Sequence, residues 1–394
     1  MKKRICVYDD FPFLNKFYAK RLQDLKIVRE HFDIKSLNRQ EFKDQAKLLT
    51  ERRKRVRYRK KIGEESSEFD EVSTFIIDFD LLKLDPLLTG EDVTYLVRCF
   101  SRCGLIIGLN QYGHNIFDLT LKGHPESYAD LNIGSEQLDN PGLWGGGAKE
   151  FRPWHWPKLP AFIESFQERV KDVVTHPDAL IFDVLEMKDI APILPKSVSQ
   201  FISGRARSLP AKMTFRQFVI NSGNGLRSRD RTATDEMVGW IGAARVSKWL
   251  ERLVLPGQDI LVDAPHLVSR YPSLLKGNSS DVNNWNRTTN FGSYKSLSLD
   301  HSRIEEFRFK KEHWLSRPAW LWEGISSCQR IKEVSEPWKR ETTNFVFCED
   351  SSNFHSRKTC TEFVAQLDSP YVRRYILRKD KTVEYAPKER LLTS

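Results

Sequence analysis

The chain has 394 residues, of which 40% are hydrophobic and 29% charged, and its net charge at pH 7 is +10. This composition is typical of a folded globular protein with two or three domains and excludes a disordered chain. No apolar run approaches the roughly 18–20 residues that a membrane span needs. The basic N-terminus passes into a strand-like segment without a signal-peptide core, so we expect a cytoplasmic protein with no membrane contact.

The first 140 residues alternate between strand-like and helix-like segments. Five short apolar runs predict strands, and residues spaced by three and four predict helices over Phe11–Lys26, Gln40–Lys61 and Gly90–Cys103. Such alternation predicts an α/β domain built on a doubly wound parallel sheet.

Carboxylates close two of these predicted strands. The run Ile5–Tyr8 stops at Asp9 and Asp10, and a later run stops at Asp78. The carboxyl ends of parallel strands line the crevice where open α/β sheets bind ligands. Several carboxylates gathered there do not all stay ionised without cost, so the cluster favours a divalent cation such as Mg²⁺.

Residues 1–140 resemble the receiver domain of two-component response regulators. The resemblance rests on Asp9 and Asp10 after the first strand, on Phe11-Pro12 and the helix behind them, and on Asp78 after the third strand. It implies a flavodoxin-like fold and a role in signalling. It also implies that Asp9, Asp10 and Asp78 hold Mg²⁺ and that Asp78 accepts a phosphoryl group.

Two positions depart from the receiver pattern. Asn110 ends the fourth strand, where receivers place Thr or Ser, and the predicted fifth strand offers no Lys in register. Lys122 could serve only if that strand is misplaced, and Asp80 comes two residues too late to replace Asp78 as acceptor. The departures predict a degenerate, pseudo-receiver domain. The alternative is that Asp9 and Asp10 cap a helix and Asp78 is a polar strand end.

A basic segment is predicted as a helical insertion at about residues 50–65. Its eight cations are the candidate phosphate contacts for nucleic acid: Arg52, Arg53, Lys54, Arg55, Arg57, Arg59, Lys60 and Lys61. The alternative is a solvated helix end, partly neutralised by Glu64, Glu65 and Glu68.

Beyond residue 140 the pattern changes. A Gly-, Trp- and Pro-rich linker is predicted over 141–160, a mainly helical region over 161–255 and a mixed α+β region over 256–394. Residues 1–140 hold 24 Lys and Arg against 23 Asp and Glu, whereas the remainder holds 39 against 30. The basic excess suggests an anionic partner, and nucleic acid is the first candidate.

Other motifs give weaker indications of function. The run Ala179–Lys188, read as a strand, resembles a metal-dependent nuclease core with Asp183, Glu186 and Lys188. Two acid–histidine neighbours, Asp263 with His266 and Glu349-Asp350 with His355, could supply a general base. Loop structure is the default for these pairs, and core packing is the default for five tryptophans in polar surroundings: Trp154, Trp156, Trp285, Trp320 and Trp322.

The six cysteines show no metal-binding spacing, and we expect free thiols. Taken together, the sequence predicts a regulatory protein with a degenerate receiver-like domain that binds a protein partner, and a basic C-terminal region that contacts a partner, with nucleic acid as the candidate. The alternative is a metal-dependent nuclease or other hydrolase whose site lies in the C-terminal half.

Overall fold

The structure is a computed structural model. It describes residues 2–58, 66–81, 83–85, 88–110, 126–145, 158–204, 209–227, 229–230, 232–271, 274–275, 279–288, 304–328, 344–348, 350–363 and 374–377. These residues divide into two units. The first contains the described residues up to 139 together with 163–253, and the second contains 140–162 and the residues from 254 onward, again as far as they are described.

A five-stranded, all-parallel sheet forms the centre of the first unit. Its strands are β1 (Lys3–Tyr8), β2 (Phe32–Ser36), β3 (Val72–Asp78), β4 (Leu105–Asn110) and β5 (Leu131–Gly134). They lie in the order β2-β1-β3-β4-β5, so β1 and β3 are neighbours, with Val7 paired to Ile76 and Tyr8 to Ile77. The predicted parallel α/β architecture is therefore confirmed. The central strands are apolar and buried, as expected for a parallel sheet covered on both faces.

Helices connect the strands. They are α1 (Pro12–Asp24), α2 (Lys26–His31), α3 (Arg39–Arg57) and α4 (Gly90–Phe100). Local sequence fixes their starts: Pro12 occupies the first turn of α1, and Asn38 forms a capping box with Glu41 at the start of α3. Thr89 caps α4 by accepting the Asp92 N–H. These signals place the starts of α1, α3 and α4 within one residue of the predicted positions, whereas α2 was not predicted.

The described residues of the first unit form five further helices. They are α5 (Leu159–Thr175, in this unit from Ile163), α6 (Ile181–Val184), α7 (Lys196–Ser203), α8 (Phe215–Asn221) and α9 (Asp235–Trp249). Helix α9 is buried along most of its length. Its Lys248 ammonium donates to the carbonyls of Ser127 and Ala129 at 2.9 and 2.5 Å, and Arg245 also donates to Ser127. These contacts tie α9 to the segment that leads into β5.

The second unit has two small sheets. One pairs β6 (Leu261–Asp263) with β7 (Ala319–Leu321) in antiparallel fashion. The other has the order β10-β11-β8-β9 and contains β8 (Phe345–Cys348), β9 (Asn353–Ser356), β10 (Thr361–Phe363) and β11 (Arg374–Ile376). Helices α10 (Ala264–Arg270), α11 (Ser279–Thr288) and α12 (Trp322–Ser326) complete the described part of this unit.

Several predicted boundaries and one predicted element differ from the structure. The run Ala179–Lys188 is not a strand, because Ile181–Val184 forms α6 and a 3₁₀ helix begins at Lys188. The predicted fifth strand starts at Leu131 rather than Tyr128. The sequence also predicts a terminal hairpin of 371–379 with 382–385. The first of these segments contains β11, which lies between β10 and β8, and 382–385 lies outside the described residues.

Within the described part of the chain, the helices are too short or too polar to cross a bilayer. The core of the second unit is aromatic. The Trp285 and Trp320 side chains are fully buried in it, which confirms core packing for these two residues, whereas Trp154 and Trp156 lie outside the described residues.

Candidate functional site

Three carboxylates meet where β1 and β3 end. Asp9 and Asp10 directly follow β1, and Asp78 is the last residue of β3. One oxygen from each residue lies within 4.8 Å of the others. All three side chains are buried, with 2%, 7% and 1% of their surfaces exposed. The strand pairing that the sequence predicted therefore brings these three residues together.

Backbone groups hold the carboxylates in place. The Asp9 carboxylate accepts the N–H of Phe11 at 2.8 Å, and Oδ2 of Asp10 accepts the N–H groups of Lys83 and Leu84 at 2.7 and 3.2 Å. Oδ1 of Asp10 accepts no hydrogen bond from the described residues. The acidic site is thus tied to the start of α1 and to the loop that follows β3.

Gly90 allows α4 to start close to the end of β3. Its N–H donates to the Phe79 carbonyl at 3.0 Å. A Cβ atom at this position would lie 2.6 Å from the Asp78 carbonyl oxygen and 2.7 Å from the Phe79 Cα. Because both are backbone atoms, no side-chain movement could relieve the overlap, so a larger residue at position 90 would displace the segment that carries Asp78.

The site is electrostatically costly. Burial raises the pKa of Asp78 to about 7, and the negative charges of Asp9 and Asp10 add to the increase. Burial also raises the pKa of Asp9 to about 6, helped by Asp10 and opposed by the Phe11 N–H and by Lys83. Like charges in a buried place resist ionisation together. Asp78 is therefore about half protonated at pH 7, and a bound cation would displace that proton.

Lys83 is a residue of the site that the sequence did not indicate. It follows Asp78 by five residues in a loop, its N–H binds Asp10, and its charge lowers the pKa of Asp9. Its ammonium lies 3.3 Å from the centre of the Phe11 ring, in a cation–π contact. No pattern in the neighbouring residues singles this lysine out. Only the fold, which returns the loop after β3 to the end of β1, reveals it.

The positions that complete the site in receivers lie only partly within the described residues. Asn110 is the last residue of β4, as predicted, and its backbone pairs with Gly134. The described strand β5 contains no lysine, and Lys122 lies outside the described residues. Asp80 follows the end of β3, and its N–H lowers the pKa of the Asp78 carboxyl.

The basic run is largely engaged in ion pairs. Arg52 is buried and binds both oxygens of Asp70 at 2.7 and 3.0 Å. Arg53 and Arg57 both bind Asp230 at 2.8 Å. Arg55 is exposed, and Lys54 pairs with Glu51 at 2.7 Å on the surface. The remaining three, Arg59, Lys60 and Lys61, lie outside the described residues.

Asp230 is the centre of the larger ion-pair group. Besides the two arginines, the Tyr95 hydroxyl donates to it at 2.6 Å. Burial alone would raise the pKa of Asp230, but hydrogen bonds from Tyr95 and Arg57 outweigh burial and lower the pKa. The side chain is 1% exposed, and its charge is fully compensated. This part of the basic run therefore joins α3 to the segment near residue 230.

The other predicted acidic residues have structural contacts. Asp183 forms an ion pair with Lys188 at 3.3 Å, and Glu186 lies beyond α6 at a positive φ of 56°. Asp263 caps α10, binds Nδ1 of His266 at 2.6 Å and binds Arg317 at 3.0 Å.

Asp350 has a backbone partner, and the histidine near it is bound to a serine. The Asp350 carboxylate accepts the Leu377 N–H, while Nε2 of His355 lies 2.9 Å from the Ser351 hydroxyl. Glu349 lies outside the described residues. Among the residues the structure describes, only Asp9, Asp10 and Asp78 form a group of three or more ligands close enough to share a metal ion. Neither the Asp183 group nor these acid–histidine pairs gathers such a set.

Comparison with known proteins adds no relative. No protein-family model, curated protein or solved structure matches this chain. Three buried carboxylate side chains with a nearby lysine can bind a hard divalent cation through oxygen ligands, and an ionised Asp78 beside that cation would be a nucleophile for phosphoryl transfer.

Proposed function

We propose that the first unit is a receiver-like regulatory domain whose acidic site, formed by Asp9, Asp10 and Asp78, binds a divalent cation such as Mg²⁺. The observation that carries this proposal is the convergence of three buried carboxylate oxygens within 4.8 Å at the ends of two adjacent parallel strands. A divalent cation at this point would offset the burial and the like charges that raise the pKa of Asp9 and Asp78.

The strand order supports the receiver-like assignment. The order β2-β1-β3-β4-β5 is the flavodoxin-like order of doubly wound sheets, in which ligands bind at the carboxyl ends of the strands where the order reverses. That reversal lies between β1 and β3. The three carboxylates occupy this position, so the location and the chemistry of the site agree.

The site contacts the loop after β3 and adjoins an exposed apolar surface to which a partner protein could bind. Oδ2 of Asp10 holds the loop after β3 through the N–H groups of Lys83 and Leu84. Phe11 and Phe79, which adjoin Asp10 and Asp78 in the sequence, are both partly exposed. A cation that draws on Asp10 competes with these hydrogen bonds, so cation binding would alter the loop and the apolar surface beside it.

A phosphoryl group on Asp78 would extend this function. Mg²⁺ would lower the pKa of the Asp78 carboxyl and would offset the charge of an incoming phosphate. In receivers a lysine of the fifth strand pairs with the phosphoryl group. Among the described residues, Lys83 is our candidate for this role. Labelling with acetyl phosphate tests this step: we expect incorporation in the wild type and none in Asp78→Asn, and equal incorporation in both would exclude Asp78 as the acceptor.

Metal-dependent stabilisation tests the cation site itself. At ten times its dissociation constant, Mg²⁺ should stabilise the folded unit by about 1.4 kcal/mol. That corresponds to a rise in Tm of about 3–6 °C for a domain of this size. Asp10→Asn should abolish the rise, because it removes one ligand charge.

Asp33→Asn is the matched control, since Asp33 lies exposed on the neighbouring strand β2 and its loss should leave the rise unchanged. A wild-type Tm that does not respond to Mg²⁺, or a response that Asp10→Asn retains, would contradict the proposal.

The charge distribution favours an anionic partner for the residues after 140, which hold 39 basic against 30 acidic residues. Nucleic acid fits such a surface through counterion release. The ratio of absorbance at 260 and 280 nm for purified protein, before and after a high-salt wash, tests this assignment. We expect co-purified nucleic acid that the wash removes, and a low ratio throughout would contradict it.

A further inference from the structure

Two cysteines of the second unit lie side by side. Sγ of Cys348, at the end of β8, is 3.1 Å from Sγ of Cys360, which directly precedes β10. All six cysteines are free thiols in the structure, as the sequence predicted. A disulfide bond requires about 2.05 Å between the sulfurs, so the two sulfur atoms must approach each other by about 1 Å to form it.

The surroundings of the two thiols differ. Cys348 is fully buried, next to Val346 and Tyr375, whereas Cys360 is partly exposed at the edge of the same cluster. The Cys360 thiol also lies 3.1 Å from the Ser356 carbonyl. Cys360 is therefore more accessible to solvent than Cys348. A partly exposed cysteine with a buried cysteine beside it is the arrangement of a reactive and a resolving cysteine.

We propose that Cys348 and Cys360 are a dithiol modification site, which hydrogen peroxide converts to an intrachain disulfide bond. The Cys360 thiolate attacks one peroxide oxygen, the O–O bond breaks, and the products are a Cys360 sulfenic acid and, after protonation, water. The Cys348 sulfur then attacks the sulfenic sulfur, the S–O bond breaks, and the hydroxyl leaves as water with the Cys348 proton. In sum, two thiols are oxidised and one peroxide is reduced to two waters.

The bond would join β8 to the start of β10, the two strands that flank β11. In the reduced protein β11 is held by a short antiparallel ladder to β10, by the pairing of Tyr375 with Cys348, and by the Leu377 N–H that binds Asp350. A covalent link between its neighbours would limit the opening of this sheet. We therefore expect oxidation to slow hydrogen exchange at Tyr375 and Ile376 by about tenfold or more.

Peptide mapping of the full chain after hydrogen peroxide treatment tests the proposal. The expected product is one linked pair of peptides, carrying Cys348 and Cys360 and lighter than the free peptides by two hydrogens, which dithiothreitol releases. Cys328→Ser is the matched control, because Cys328 is a partly exposed thiol of the same unit and its loss should leave the link intact. Cys360→Ser should eliminate the link.

The wild-type map alone decides the matter if a variant does not fold. Sulfinic or sulfonic acid on Cys360 beside an unmodified Cys348 would overturn the proposal. So would a link from either residue to another cysteine, or two thiols that stay reduced at peroxide concentrations that oxidise Cys328.

Discussion

The first unit contains two charged clusters that the structure treats in opposite ways. At the end of α3, Arg52, Arg53 and Arg57 are each matched by a buried carboxylate, either Asp70 or Asp230. At the ends of β1 and β3, three carboxylates are buried together, and the exposed Lys83 lowers the pKa of one of them, Asp9. The basic cluster is neutralised within the fold, whereas burial and like charges raise the pKa of Asp9 and Asp78 in the acidic cluster.

The difference separates structural charge from functional charge. A cluster whose members are neutralised by fixed partners contributes to stability and has little charge left for a ligand. A cluster of buried like charges costs stability, and that cost is offset when a ligand of opposite charge binds. The same substitution, Asp→Asn, should therefore have opposite effects in the two clusters.

The largest effect is expected at Asp230. Asp230→Asn removes the charge that Arg53, Arg57 and Tyr95 share, and it should lower the free energy of unfolding by about 2–3 kcal/mol. Chemical denaturation at pH 7 measures it. The control is Asp178→Asn, which breaks an exposed ion pair with Arg216 and should cost about 0.5 kcal/mol or less. If Asp230→Asn loses no more free energy of unfolding than Asp178→Asn, a structural role for this ion-pair cluster is excluded.

Asp78→Asn should have the opposite sign. The pKa of Asp78 in the folded protein, about 7, exceeds the unperturbed 3.8, so the native state binds more protons than the unfolded state between these values. Wild-type stability should consequently fall as pH rises from about 4 to 7. Asp78→Asn, measured without divalent cations, should therefore be more stable than the wild type by about 1–3 kcal/mol at pH 8 and nearly equal to it at pH 4.

Denaturation curves at several pH values give this difference directly. Asp33→Asn again serves as the control, because Asp33 is exposed on β2. A variant that is less stable than the wild type at pH 8 would show that the Asp78 carboxylate stabilises the fold. That result would contradict the interpretation that the charge of the acidic cluster is uncompensated.

The smallest effect is expected at Arg55. It is an exposed residue of the basic run, so Arg55→Gln should change the free energy of unfolding by less than about 0.5 kcal/mol. Arg52→Gln has an uncharged side chain that is two bonds shorter and loses the ion pair with Asp70. It should cost about 1–2 kcal/mol. Equal losses of stability at the two positions would contradict the conclusion that the buried, paired Arg52 stabilises the fold and the exposed Arg55 does not.

The acidic site could be predicted from sequence because its signals are local. A β-branched run that ends in carboxylates defines both the strand and its functional end, and parallel neighbours bring such ends together. The partners of the basic run could not be predicted in this way. Asp230 lies 177 residues from Arg53, and nothing near it in the sequence indicates a buried charge.

The errors have physical causes as well. The run Ala179–Lys188 is apolar and short, a pattern that strands and buried helices share, and it forms α6. Residues 128–130 look like a strand, but the Asp130 carboxylate accepts the Ile106 N–H of β4 and the carbonyl of Ala129 binds Lys248 of α9. The regular pairing with β4 starts at Leu131. Lys83 was not predicted because a loop decides its position.

A calorimetric titration with Mg²⁺ at pH 7, in two buffers of different ionisation enthalpy, tests the cation site most directly. We expect one Mg²⁺ per chain and the release of about half a proton or more, because Asp78 with its pKa of about 7 is half protonated at this pH. Asp78→Asn should lose that release, and Asp33→Asn should keep it. Absence of binding, or binding that is identical in both buffers, would exclude a cation site at these carboxylates.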